Sequence, residues 1–191
     1  MNIEKSNIAK LPTKHGNFLI KAYKYNNEEH LAIMSEDFEN ITEPFVRIHS
    51  ECLTGDALGS LKCDCQAQLN LALDFISKNG GLVIYHKQEG RNIGLFNKVN
   101  AYSLQDKGRN TIEANVELGF AEDERDYSVV GEILKDLNVK KLKLITNNPK
   151  KIKFVEDCGV QIIERMPAII QSNKHNENYL ATKKDEMGHL L

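Results

Sequence analysis

The stretch Arg47-Ile48-His49-Ser50-Glu51-Cys52-Leu53-Thr54-Gly55-Asp56-Ala57-Leu58-Gly59-Ser60-Leu61-Lys62-Cys63-Asp64-Cys65 decides how the rest of the chain is read. Three of the four cysteines lie in it, and Cys63 and Cys65 are separated by a single Asp, too close for a comfortable mutual disulfide. A cysteine pair is also compatible with plain core packing, but His49, Glu51, Asp56 and Asp64 surround these thiols with proton carriers and hydrogen-bond partners. That set points to a thiolate-bound metal. Zinc accepts such ligands at about 2.3 Å, and three protein ligands with one open position mark a catalytic rather than a structural site. The fourth cysteine, Cys158, ends a predicted helix and reads as a small buried hydrophobe.

Upstream of this run the pattern is β. Residues 17–25 and 30–35 are β-prone and are joined by Asn26-Asn27-Glu28-Glu29, with a further short strand at 44–49. These segments are expected to pair as an antiparallel sheet with Arg47, His49 and Glu51 at its edge. Downstream, Leu69, Ala72, Leu73 and Ile76 recur at helical spacing until Gly80-Gly81 stops the helix. Cys63 and Cys65 then fall just before or in its first turn, where the helix dipole favours thiolate.

From Gly81 onward strand and helix alternate. Leu82-Val83-Ile84-Tyr85 is a buried strand, residues 86–92 a polar loop, and 94–106 a helix. Ser128 reads as the N-cap of a helix whose apolar face is Val129, Val130, Ile133, Leu134 and Leu137. A strand at 142–146, a helix opened by Asn148-Pro149 and closed by Gly159, and a strand at 160–163 make a β-α-β unit. A terminal helix and tail follow. The expected fold class is α+β, or mixed α/β: an antiparallel N-terminal sheet followed by alternating strand and helix units, one compact domain over 1–191.

The chain has 191 residues, 41% hydrophobic and 27% charged, with 25 Lys plus Arg against 27 Asp plus Glu. That balance provides no global positive field and excludes a general nucleic-acid binder. The N-terminus lacks the apolar core of a signal peptide and no apolar run reaches membrane-spanning length, so a cytoplasmic protein without membrane contact is expected. In that compartment structural disulfides are not expected.

Two other stretches carry chemistry. His86-Lys87-Gln88-Glu89-Gly90-Arg91-Asn92-Ile93-Gly94 leaves a strand and enters a helix, with glycines that admit a phosphate and an arginine that can bind one bidentately, although glycines at such a place also simply make a turn. Thr146-Asn147-Asn148-Pro149-Lys150-Lys151 offers a helix N-terminus and two lysines, which bind anions or are solvated. Residues 119–127, dense in charge, read as a surface loop. Together these features describe a metal-assisted hydrolase of a phosphorylated, nucleotide-like substrate.

The runs Arg47 to Asp56, Leu61-Lys62-Cys63-Asp64-Cys65, Tyr85 to Leu95, Ala101-Tyr102-Ser103-Leu104-Gln105-Asp106, Glu113-Ala114-Asn115, Asp123-Glu124-Arg125-Asp126, Thr146 to Lys151 and Met187-Gly188-His189-Leu190-Leu191 resemble the GTP cyclohydrolase II family, from about Leu11 to the C-terminus. The resemblance implies hydrolysis of GTP to 2,5-diamino-6-(5-phosphoribosylamino)pyrimidin-4(3H)-one, formate and pyrophosphate, the first step of riboflavin biosynthesis. It implies one zinc ion per chain on Cys52, Cys63 and Cys65, Mg²⁺ with the substrate phosphates, and a homodimer. It implies GTP contacts at Arg47, Ile48, His49, Ser50, Glu51, Gln68, Glu89, Gly90, Arg91, Thr111, Thr146 and Lys151. Asp123 and Arg125 match the family's base and nucleophile, and Tyr102 a tyrosine linked to completing ring opening. A guanidinium is a poor nucleophile, so Arg125 is either covalent, with help from Asp123, or a stabiliser of transition-state charge. Gln66 and Ala67 depart from the family pattern, and altered packing near the zinc is expected there. A catalytically altered relative and a non-enzymatic zinc module are the competing classes.

Overall fold

The computed structural model describes residues 3–191. Eight strands build one mixed sheet: β1 (Glu4–Lys5), β2 (Ala9–Thr13), β3 (Gly16–Tyr25), β4 (Glu28–Ser35), β5 (Phe45–Ser50), β6 (Gly81–His86), β7 (Lys141–Ile145) and β8 (Gln161–Met166). Seven helices accompany them: α1 (Leu53–Asp56), α2 (Cys65–Asn79), α3 (Gly94–Gln105), α4 (Thr111–Glu117), α5 (Ser128–Asp136), α6 (Pro149–Asp157) and α7 (Glu177–Asp185). No helix among the described residues is long and apolar enough to cross a membrane.

The strand order is β1-β3-β4-β6-β5-β7-β8, with β2 also paired to β3. The expected hairpin is β3–β4, turned at Asn26 and Asn27 with φ of 49° and 64°, the left-handed pair that a tight hairpin demands. The strand at Phe45–Ser50 departs from expectation. It is not at an antiparallel edge but inside the sheet, parallel to both β6 and β7. Period-2 alternation cannot distinguish the two placements. What does is burial on both faces: Val46 and Ile48 pack with Leu82, Ile84, Leu142 and Leu144 under α5 and α6, while Val83 and Ile145 pack on the other face with Ala72 and Ile76 of α2.

Helix boundaries follow local chemistry. Asn148 accepts from the Lys150 amide at 2.9 Å, with Pro149 as the first helical residue, and Gly80 and Gly159 end α2 and α6 at φ of 77° and 76°. Ser128 is the first residue of α5 rather than its cap. Its amide and hydroxyl both donate to Asp126, at 2.8 Å each. Cys158, expected in the core, is exposed. The sequence patterns foresaw neither β1 and β2 nor α4, whose cap is Asn110 in a reciprocal box with Glu113.

A column of rings fills the α5 side of the sheet: His30 stacks on His86 at 5.3 Å and His86 on Tyr127 at 5.2 Å. Burial holds the His86 imidazole neutral, with its pKa pushed down to about 3. In the unfolded chain the same group titrates near ~6.5. The stability it confers is therefore complete above that value and drains away as pH falls towards 3, by up to about 1.4 kcal/mol per pH unit. Urea unfolding at pH 7, 6, 5 and 4 is expected to lose stability as pH falls, with His30, His49 and His189, also held down by burial, adding to the slope, and His86→Phe, which keeps a ring without a titrating nitrogen, is expected to remove the His86 share of it.

Candidate active site

The three chemical stretches leave the C-terminal ends of adjacent parallel strands: the cysteine run follows β5, the Glu89 loop follows β6, and the Thr146 turn follows β7. In such sheets that end is where ligands bind. A cleft there is lined by every metal-ligating, GTP-contacting and catalytic residue that the family resemblance implies except Ile48 and Asp123. The Ile48 side chain faces the core, and its carbonyl accepts from Lys151 Nζ at 2.8 Å. Asp123 stands behind Arg125.

The sulfurs of Cys52, Cys63 and Cys65 lie within 4.8 Å of one another, and Cys52 Sγ is 3.7 Å from Cys63 Sγ. Two thiolates on one tetrahedral zinc stand about 3.8 Å apart, so the spacing fits. The backbone leaves the sulfurs room. A Cβ on Gly55 in α1 would come within 2.8 Å of Cys63 Sγ and 3.0 Å of Cys52 Sγ. Contacts with the other two thiols, aided by Lys98, hold Cys52 far below the ordinary thiol range, while the same coupling pushes Cys63 up to about 11 and raises Cys65 strongly. A bound dication would let all three sulfurs carry charge in this space.

The groups expected around the metal divide. His49 Nε2 is 3.1 Å from both Asp56 oxygens, and Asp56 also accepts from Tyr85 Oη at 2.8 Å and from the Cys52 amide at 3.1 Å. Burial lowers the His49 pKa, against the pull of Asp56. Asp64, by contrast, is tied away from the sulfurs, accepting from Gln68 Nε2 and Lys183 Nζ at 2.7 Å each. Gln68 in turn accepts from Arg47. Glu51 is a half-buried carboxyl, its pKa raised first by burial and then by Glu89. Ala67 is exposed, and Gln66 donates to the Asp56 carbonyl at 3.2 Å.

In the same cleft, cations crowd together. Lys151 is buried, and burial first, then Arg125, Arg47 and Lys183, drive its pKa well below the usual lysine value. Such a group gains a proton when an anion arrives. Of the two lysines expected at the start of α6, Lys151 turns in, while Lys150 is exposed, 3.5 Å from Glu122. The Glu89 loop runs left-handed through Gly90, Arg91 and Asn92, with φ of 62°, 61° and 74°. Arg91 Nη1 donates to the Glu122 carbonyl at 3.1 Å, and its buried Nη2 has no partner among the described residues.

The 119–127 segment is only half a surface loop. Glu122, Glu124 and Asp126 turn outwards, while the Asp123 and Arg125 side chains are 6% and 10% exposed. Arg125 donates Nε and Nη2 to the two Asp123 oxygens at 2.7 Å each and Nη1 to Ser50 Oγ at 3.3 Å. Although burial opposes its charge, Asp123 raises the Arg125 pKa further, and Arg125 holds Asp123 below the usual carboxylate range despite burial. Tyr102 Oη lies 3.1 Å from Thr54 Oγ1. Thr111 opens α4 at the cleft wall, and the Thr146 hydroxyl accepts from the Asn148 amide at 3.1 Å.

Sequence reasoning missed two contributors. Lys98 on the buried face of α3 reaches Cys52 Sγ at 3.1 Å, and its signal was a lysine three residues before the buried Ala101. The C-terminal segment, read as a terminal helix and tail with no role of its own at the site, brings Tyr179, Lys183, Met187 and His189 to the cleft and ties the Leu190 amide to the Asn147 carbonyl at 2.8 Å.

The chain is similar to known proteins along its whole length. A family model described as GTP cyclohydrolase II matches residues 4–167. The chain is 59% identical to GTP cyclohydrolase-2 of Campylobacter hominis over 100% of this chain and 97% of that one. It is 55% identical to that of Helicobacter acinonychis (99% and 98% covered) and 56% identical to that of Campylobacter fetus (100% and 97%). Long motifs, full-length identity and a three-cysteine cluster beside buried cations converge, and the chain belongs to the GTP cyclohydrolase II family.

Proposed function

We propose that this enzyme hydrolyses GTP, opening the imidazole ring to yield 2,5-diamino-6-(5-phosphoribosylamino)pyrimidin-4(3H)-one, formate and pyrophosphate at the start of riboflavin biosynthesis. The observation that carries the reading is one cleft that holds both a three-cysteine cluster and buried, poorly compensated cations. A nucleoside triphosphate satisfies both ends: its base presents carbon to the sulfurs and its phosphates supply the missing negative charge.

Cys52, Cys63 and Cys65 would hold zinc, which when bound acts as a Lewis acid and acidifies water. Around it, the Asp56 carboxylate fixes the His49 ring, and Thr54 orients the Tyr102 hydroxyl, each within hydrogen-bond reach of its partner. Arg47, Ser50, Glu51, Gln68, Glu89, Gly90, Arg91, Thr111 and Thr146 line the space left for nucleotide, with Ile48 contributing backbone. Lys151 and Arg125 neutralise the phosphates, which carry Mg²⁺, and Asp123 orients Arg125. Its two-point grip keeps the guanidinium charged, which favours electrostatic stabilisation over covalent attack. A cytoplasmic homodimer completes the reading. Leu58, Leu61, Phe96 and Val99 are exposed apolar side chains that a second copy would cover.

Purified protein incubated with GTP is expected to release formate and pyrophosphate and to contain stoichiometric zinc. Cys52→Ser should cut formate release by more than the roughly 100-fold that loss of an outer metal partner costs, with an unchanged circular dichroism spectrum. Formate release at full rate by metal-stripped protein would refute the reading. Gly55→Ala adds a methyl where the sulfurs sit, so zinc affinity should fall at least about 10-fold. The added methyl also overpacks a buried site at a cost of about 1–3 kcal/mol, so urea unfolding of the variant is measured beside its zinc affinity, and a folded variant with wild-type zinc affinity would count against the cysteines as ligands. Arg125→Lys keeps charge but loses the fork, and pyrophosphate release is expected to drop about 100- to 1000-fold. A denaturing quench of a single turnover should trap no phosphorus-nitrogen adduct on wild-type protein.

A further inference from the structure

We propose that Lys98 is a positioning residue of the metal centre, donating a hydrogen bond to the Cys52 sulfur and offsetting the excess negative charge of a three-thiolate site. The inference rests on reading Cys52, Cys63 and Cys65 as zinc ligands and adds to it a residue outside every motif that identified the site.

Lys98 is 8% exposed on α3, and a buried ammonium persists only when paired. Its Nζ lies 3.1 Å from Cys52 Sγ and 2.7 Å from Glu89 Oε1. Glu89 is itself fixed, accepting from its neighbouring Gly90 amide at 2.8 Å and, through Oε2, from the Leu53 amide at 2.6 Å. Leu53 follows Cys52, so the lysine, the carboxylate and the metal-binding backbone form one closed loop of contacts. Packing seals it. A Cβ on Gly90 would stand 3.2 Å from Lys98 Cβ, and the Tyr102 ring lies 5.7 Å from the ammonium on another side.

Three thiolates and a dication sum to one negative charge, which in a buried site needs a counter-charge. Lys98 is the one cation hydrogen-bonded to any of the three sulfurs among the described residues. An N–H donated to a coordinated sulfur withdraws electron density from it, leaving the metal more electrophilic and the sulfur held in place. A lysine present only to pair with Glu89 would leave the metal's electronic properties untouched.

The test compares wild-type protein with Lys98→Met, Lys98→Gln and Lys98→Arg, using Zn²⁺ competition against a chromophoric chelator and the sulfur-to-metal charge-transfer band of the Co²⁺-loaded protein. Met and Gln variants are expected to lose about 10- to 100-fold in Zn²⁺ affinity and to move the band to longer wavelength, with Arg recovering most of both. Should Lys98→Met fail to fold, Lys98→Gln carries the same test, because its shorter amide can pair with Glu89 without also spanning to Cys52. Wild-type affinity and band position in folded Met or Gln variants would overturn the assignment of Lys98 alone. Uptake of neither ion by the wild-type protein would overturn the zinc reading and this inference with it.

Discussion

Like charges held close together are the constraint that the rest of this structure accommodates. Three sulfurs lie within 4.8 Å, and in the same cleft Lys151 is buried beside Arg125 and Arg47. Neither group would stay in place on flexible chain, because repulsion inside a poorly solvated cleft pushes its members apart. Each is anchored in rigid structure instead. The cysteines are held by α1 and the first turn of α2, and Lys151 by α6 and its bond to the Ile48 carbonyl.

The sheet makes that anchoring possible. β5 lies between β6 and β7, and all three run the same way, so the segments that follow them emerge side by side. Core packing on both faces fixes these strands, with Val46, Ile48, Leu82 and Leu144 under one helical layer and Val83 and Ile145 under the other. Arg47 and His49 then project from the α2 face of β5 near its end, where Gln68 and Asp56 receive them. Hydrogen-bond chains such as Arg47–Gln68–Asp64–Lys183 connect that strand to the C-terminal helix, so the last residues of the chain belong to the same cleft as the first cysteine.

Much of the fold was legible because it rests on local signals. The helix after Cys65, the Asn148-Pro149 start, the glycine stops and the Asn26-Asn27 hairpin each depend on a few neighbouring residues and appeared where the pattern predicted. Two errors are local, Ser128 read as a cap and the Asn110–Glu113 box overlooked, and the others are non-local. Whether the strand at Phe45–Ser50 sits at an edge or in the middle depends on β6 and β7, which lie far along the chain. Cys158 looked like core because cysteine often is, yet the helix end on which it sits is exposed. The charged segment at 119–127 looked like solvent-facing loop, and its alternation of sides became meaningful only once Ser50 and Gln88 lay opposite Arg125 and the Asp126 amide.

The sequence by itself singled out the three clustered cysteines, the glycine- and lysine-bearing stretches that line the cleft, and the family, because residue type, glycine placement and long motifs are properties of consecutive residues. Only the tertiary structure decided which lysine faces inwards, that Asp64 serves Lys183 rather than the sulfurs, and that Lys98 lies against Cys52. Those outcomes depend on distances between atoms 46 or more residues apart, as between Cys52 and Lys98, and such distances are set by how strands and helices pack rather than by which residues adjoin in the chain.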